Sequence, residues 1–357
     1  MARRVFLHVG TPKSGTTHLQ ERFALNRDLI ARQGLTYPST RAGDHFEAAL
    51  DLIDEPWPGE REQARGQWVS LVGEVRRTSG DILISHELLA AATPAQIARV
   101  MTTFGGDEVH VILTARDLAC QIPAEWQEQL KYRGRRSFKD YMSEIVEGRR
   151  INPELWFWRV QSIPDVLTRW SNGLSPERVH VVTVPPKGGP PDELWRRFAS
   201  VVGIDPDAEY AESPAANTSL GVVEASVLRR LNRLLAGKGV SREVYVDLVR
   251  EVVGRETLGK RRDVVPIVVP EARWPFVGLV TQEWLDWLTG AGVDVVGDLD
   301  DLRPEPPGPE HVWVHPDRAP ADQVAQASLE SLAAVIRAVA PTHQSPVRRL
   351  ARRLLRG

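Results

Sequence analysis

Residues Gly10 to Thr17 read GTPKSGTT. Two glycines enclose four residues, the frame of a loop whose backbone N–H groups cradle a phosphate. The pair after the second glycine is Thr16-Thr17, however, where a nucleotide-binding loop carries Lys followed by Ser or Thr. In that usual loop the lysine spans the β- and γ-phosphates and the next hydroxyl holds magnesium. Here the hydroxyls and N–H groups of Thr16 and Thr17 are suited to a terminal phosphate, and the lysine stands inside the loop, at Lys13. From there its ammonium can lean over the loop's mouth and neutralise a bridging oxygen as that oxygen departs. The plain structural reading is a glycine turn with a solvated lysine.

Two further places carry chemistry. SHELL (Ser85 to Leu89) follows the apolar run DILI and sets His86 and Glu87 where a strand ends. A histidine has the pKa range of a general base at neutral pH; a glutamate would need burial to raise its own. Either Ser85 or Glu87 can instead cap the following helix. VILTARD then places Arg116 at the end of another apolar run, as a planar partner for phosphate or as one half of a surface ion pair.

The elements that must position these residues follow from hydrophobic patterning. VFLHVG (Val5 to Gly10), DILISH (Asp81 to His86), VHVILTAR (Val109 to Arg116) and RVHVVTV (Arg178 to Val184) read as buried strands. A helix is expected from Thr16, with Leu19, Phe23 and Ile30 on one face and Gly34 as its stop. Others are expected over 94–104, 137–148 and 192–203. Strands alternating with helices make an α/β fold, a parallel sheet flanked by helices with its sites at the carboxyl ends of the strands. His8, on the strand entering the loop, is expected to be packing. The domains expected are a core over 1–220, a mainly helical extension over 221–310 that includes WPFVGLVTQEWLDWLTGAGVDVVGDLDDL packing back on the core, and a C-terminal helix and basic tail over 311–357.

Composition narrows the classes. The 357 residues are 42% hydrophobic and 26% charged with a formal charge of −2, enough for a sizeable core and against a general nucleic-acid binder. One cysteine, Cys120, excludes an internal disulfide framework and a cysteine-based zinc site. No apolar run approaches the roughly 20 residues of a membrane span, and VFLHVG is short for a signal-peptide core. A cytoplasmic protein is expected. The ending SPVRRLARRLLRG intersperses arginines with leucines, the pattern of a short basic amphipathic helix able to make a weak surface or partner contact, or of a solvated end.

At TPKSGTT the sequence resembles the sulfotransferases that use 3′-phosphoadenosine 5′-phosphosulfate (PAPS). These have the fold of P-loop nucleotide kinases, transfer a sulfuryl group and need no metal. The resemblance covers roughly Arg3 to Gly221. It implies a donor loop formed by Thr11, Pro12, Lys13, Ser14, Gly15, Thr16 and Thr17, with Lys13 stabilising the departing phosphate. It further implies that Arg116 binds the donor's 3′-phosphate and that His86 or Glu87 is the base, since the family uses either residue type there. Two departures stand out. The family's serine eight residues after that arginine is replaced by Ala124, and its later Arg-Lys-Gly motif is not evident, with Asn217 or Ser219 the substitutes offered by AANTSLG. The activity implied is sulfuryl transfer to a hydroxyl of a carbohydrate, lipid or small molecule. The alternatives are an ATP-dependent P-loop kinase and a nucleotide-binding regulator without catalysis.

Overall fold

The computed structural model describes residues 2–38, 44–54, 64–152, 154–190, 192–212, 219–308 and 313–340. The proposed substitute Asn217 and the arginine-rich tail lie outside them. Six strands, β1 Arg4–His8, β2 Leu35–Thr36, β3 Asp81–Ser85, β4 Glu108–Ala115, β5 Val179–Thr183 and β6 Asp294–Val296, form one sheet in the order β2-β3-β1-β4-β5-β6. All neighbours are parallel, so the fold is α/β, a parallel sheet flanked by helices.

The order explains where a site must lie. β1 is central, and the chain leaves it first towards β3 and later towards β4. Connections running to opposite sides of one strand open a crevice at its carboxyl end. That crevice gathers the ends of β1, β3 and β4, which are followed by the glycine loop, His86-Glu87 and Arg116. Val5, Phe6 and Leu7 are fully buried, which accounts for the apolar run in the sequence: a central parallel strand is covered on both faces. On one side Phe6, Leu83, Ile112 and Val182 meet Leu19, Phe23, Trp195 and Phe198, each burial contributing about 1.5–3 kcal/mol.

The helix expected from Thr16 to Gly34 is two helices. α1, Thr16–Leu25, stops at Asn26, and a second runs Arg27–Arg32. Asn26 Nδ2 donates to Arg22 O at 2.8 Å and to Ala211 O at 2.9 Å, while its Oδ1 accepts from Ala211 N at 2.7 Å. Three bonds from one side chain outweigh the backbone bonds lost at the break.

The chain divides into two compact units, 1–126 with 139–217 and 268–313, and 127–138 with 218–267 and 314–357. Residues 221–267 and 268–313 therefore belong to different units. Within the first, β6 pairs with β5, and the turn after it is fastened by a polar cluster. Thr183 Oγ1 donates to Asp301 Oδ2 at 2.7 Å, and Arg197 bonds Asp301 as well as Glu193 Oε1, the latter at 2.9 Å. The second unit holds the helices Val222–Leu235 and Ala321–Val339 and the π-helical stretch Tyr245–Thr257. Tyr245 Oη donates to Asn232 Oδ1 at 2.7 Å there, and Asn232 Nδ2 donates to Leu130 O at 2.7 Å. Among the described residues no helix is long and apolar enough to cross a membrane, and no cluster of His, Cys, Asp and Glu has the arrangement of a metal site.

Candidate active site

The loop leaves β1 at Val9 and enters α1 at Thr16. Gly10, Lys13 and Gly15 all have left-handed backbone, with φ of +95°, +64° and +84°. For Lys13 this is strained, so the surroundings must enforce it. They do so through its carbonyls. Gln161 Nε2 donates to Pro12 O at 2.9 Å and to Glu125 Oε1 at 3.0 Å, and Arg116 Nη1 donates to Lys13 O at 3.3 Å. Gln121 Nε2 donates to Thr11 Oγ1 at 2.7 Å. Gln121, Glu125 and Gln161 are 1%, 5% and 0% exposed, a polar floor beneath the loop.

The loop is also tied to the sheet by a hydrogen-bond chain whose polarity is fixed from the loop as far as His8. Ser14 Oγ lies 2.5 Å from Thr11 O and 2.5 Å from Thr114 Oγ1; Thr114 Oγ1 lies 3.2 Å from His8 Nε2, and His8 Nδ1 lies 2.7 Å from Ser85 Oγ. A carbonyl can only accept, so Ser14 donates to Thr11 O. Thr114 must then donate to Ser14, and His8 must donate from Nε2 to Thr114. With the ring neutral, His8 Nδ1 is left as an acceptor and Ser85 donates to it. Full burial penalises the imidazolium and pulls the His8 pKa down to about 3. His8 is packing, as expected from the sequence, but packing that joins β3 to the loop. It also follows that the Ser14 hydroxyl faces inward; what Ser14 can offer an anion is its backbone N–H.

At the mouth, α1 begins at Gly15 with no side-chain cap and no acidic residue in its first turn. Its leading N–H groups and dipole are thus available to an anion. Thr16 is buried and Thr17 half-buried, and Lys13 is half-buried within the loop. Gly15 is favoured by its left-handed φ; a Cβ there would meet only the movable end of Leu194, whose Cδ2 would lie 2.4 Å away. Gly10 is required for another reason: its Cβ would lie 2.9 Å from both Cα and Cβ of Glu87. That close approach brings Glu87 to the loop.

Glu87 opens the short 3-10 turn Glu87–Ala91, whose cap is His86, not Ser85 or Glu87: His86 Nδ1 accepts from Leu88 N at 3.2 Å. A neutral His86 engaged in this way carries its proton on Nε2 and presents a donor, not a lone pair. Burial lowers its pKa below the usual value, the nearby Glu87 opposing. Glu87 Oε2 accepts from Gln20 Nε2 at 2.9 Å and lies 3.9 Å from His86 Nδ1. Burial pushes its carboxyl up, but His86, the Gln20 bond, its own backbone N–H and Lys13 together hold it down at about 2. Glu87 is therefore a carboxylate beside the loop, within the field of Lys13.

Arg116 stands just past β4, its side chain 36% exposed, bonded to Lys13 O and 4.0 Å from Asp117 Oδ2. Asp117 accepts from Cys120 N at 2.8 Å and so caps the helix Leu118–Lys131. Ala124 is half-buried in that helix, and Ser219 is exposed.

The structure thus brings Thr11 to Thr17, His86, Glu87 and Arg116 to one edge of the sheet. Sequence reasoning did not find the supporting residues Gln20, Thr114, Gln121, Glu125 and Gln161. A glutamine ending the aromatic run WFWRVQ was the one visible sign, a polar residue on an apolar face.

No family model matches the chain, and no curated protein matches it. Among solved structures, the chain is similar to one described as a sulfotransferase from Alicyclobacillus acidocaldarius. The two are 17% identical with a TM-score of 0.40, over 69% of this chain and 99% of that one.

Proposed function

We propose that this chain transfers a sulfuryl group from PAPS to a hydroxyl of a carbohydrate, lipid or small molecule. The observation that carries the reading is Lys13 inside the loop, locked in left-handed backbone, with Glu87 and Arg116 at the same edge. The uncapped N-terminus of α1, with the N–H groups of Ser14 to Thr17, takes the 5′-phosphate. Arg116 takes the 3′-phosphate. In the transfer step an acceptor oxygen forms a bond to sulfur in line with the bridging oxygen, and the bond from sulfur to that oxygen breaks. Lys13 neutralises the charge that develops there. The acceptor's proton passes to Glu87, and the products are a sulfate ester and adenosine 3′,5′-bisphosphate. A carboxyl held near 2 is a weak base in the free protein. A polyanionic donor engaging Lys13 cancels part of the field that holds it there and raises its basicity.

A kinase keeps a magnesium-binding acid near such a strand end. Here Asp117 spends one carboxylate oxygen as a helix cap, which supports the sulfuryl reading over that one. Calorimetric titration separates the two. Adenosine 3′,5′-bisphosphate is expected to bind in EDTA and more tightly than ADP, and Arg116→Ala to remove most of that preference. Magnesium-dependent binding of ADP or ATP with no preference for the 3′-phosphate would overturn the reading. Incubation of acceptor mixtures with PAPS, followed by mass spectrometry for a gain of one sulfuryl group, then separates an enzyme from a regulator.

A further inference from the structure

The short turn Glu87–Ala91 is held from one side by the helices Trp156–Gln161 and Ile163–Trp170. Trp170 Nε1 donates to Leu89 O at 3.0 Å, Arg169 Nη2 to Ala90 O at 2.7 Å and Arg159 Nε to Ala91 O at 2.8 Å. Carbonyls at the end of a helical turn need partners from outside it, and here side chains meet three in succession. At the other end His86 N donates to His8 O at 3.1 Å, which ties the turn to β1. The backbone that carries Glu87 is therefore fixed at both ends. The freedom left to this residue is the rotation of its own side chain.

Gln20 restricts that rotation, since its Nε2 donates to Glu87 Oε2 at 2.9 Å. Gln20 lies on α1 one turn beyond Thr16 and Thr17, and residues three and four apart share a helix face. The helix whose first turn is open to an anion thus also holds the carboxylate. Its rise of about 1.5 Å per residue sets the spacing between the two. His86 Nδ1 lies 3.9 Å from the same oxygen, Oε2. The Glu87 side chain is still 23% exposed.

We propose that Gln20 is a positioning residue that anchors Oε2 of Glu87 and so aims Oε1 at the acceptor's hydroxyl. This rests on the sulfuryl-transfer reading, in which Glu87 is the base. As the acceptor oxygen bonds to sulfur, its proton passes to Oε1. Oε2 then becomes a carbonyl oxygen, which still accepts from the amide, so the anchor holds throughout the step. A lysine or arginine at this place would also hold the carboxylate but would depress its basicity further. A neutral amide orients it with less of that effect.

A double-mutant cycle tests the role. It reads single-turnover release of adenosine 3′,5′-bisphosphate from PAPS with the acceptor mixtures that gain a sulfuryl group. Gln20→Leu is expected to slow this release about 10²-fold. The acid limb of its pH–rate profile should move to higher pH, because a group that favours the carboxylate is gone. In a Glu87→Gln background the same substitution should have no further effect, and calorimetric affinity for adenosine 3′,5′-bisphosphate should be unchanged. An equal loss in both backgrounds, an unmoved acid limb or weaker nucleotide binding would make Gln20 merely structural and overturn the proposal. So would a wild-type rate in Gln20→Leu while Glu87→Gln is inactive. Full activity of Glu87→Gln, or no sulfuryl gain with the wild-type chain, would instead overturn the reading beneath it. The contact itself is read without donor or acceptor. The Gln20 side-chain amide signals in NMR spectra, assigned by their loss in Gln20→Leu, should shift in Glu87→Ala, and unmoved signals would refute the anchor.

Discussion

Lys13 pays for its position with backbone strain of about 1–3 kcal/mol, and the carbonyl clamps from Gln161 and Arg116 offset it. A surface lysine needs no such support. Because its proposed work is done on the transition state, Lys13→Ala is expected to lower turnover by about 10²–10³-fold. Affinity for adenosine 3′,5′-bisphosphate, measured calorimetrically, should change much less. The neighbouring pair separates by variants that preserve shape. His86→Asn keeps an acceptor for Leu88 N and is expected to retain most activity. Glu87→Gln keeps the size but cannot accept the proton, and single-turnover assays should show a loss of about 10²–10⁴-fold. Loss of turnover in His86→Asn alone would move the base to His86. His8 acts through stability. Its folded pKa of about 3 lies below the unfolded value near 6.5, so the unfolded chain binds more protons between those values and stability rises with pH. The contribution is full above about 6.5 and is lost as pH falls towards 3. His8→Gln reproduces the required pattern, an amide oxygen for Ser85 and an N–H for Thr114. It should remove about one proton from the slope of stability against pH while leaving the loop in place. His8→Phe should remove that proton and also lower donor affinity.

Among the elements, the meeting of the loop with the turn after β3 is the tightest constraint. Gly10→Ala places a methyl group against the Glu87 backbone in a conformation that L-residues avoid. Relief requires the turn to retreat, and Glu87 with it. The expected cost is roughly 1–3 kcal/mol in chemical denaturation, with turnover falling further than stability alone explains. Much of this arrangement was legible in the sequence, because strand, loop and helix leave local patterns: an apolar run, two glycines, then residues at helical spacing. The pairings behind the loop were not. His8 with Ser85, Thr11 with Gln121 and Pro12 with Gln161 join residues 77, 110 and 149 positions apart. No periodicity marks such pairs, since each is a single polar residue chosen by its partner. The break at Asn26 was hidden for the same reason. Its partner, Ala211, lies 185 residues away, and local propensity alone favours one continuous helix.

At the scale of the whole molecule, the first unit takes its last strand from far along the chain. β6 has three residues, too few to announce themselves in a sequence, and it is held by the Thr183–Asp301–Arg197 cluster as much as by its own ladder. Asp301 and Arg197 are 10% and 14% exposed at their side chains. Asp301→Ala leaves the guanidinium without that acceptor in a largely dry place, and a loss of about 3 kcal/mol is expected by thermal or chemical denaturation. A wild-type melt in that variant would show that the strand pairing suffices alone.

The lateness of β6 also matters on the ribosome. β5 ends at Thr183 and β6 begins at Asp294, so about 110 residues must be made between the two, on the order of 5–20 s of synthesis at typical rates. Throughout that interval β5 is the outermost strand of a nascent sheet, its far row of N–H and C=O groups open to any other extended chain. The period of greatest aggregation risk therefore falls late in translation, after the glycine loop and its supports have been synthesised. Slowing elongation between codons 184 and 294 should lower soluble yield, whereas the same delay placed after codon 302 should not.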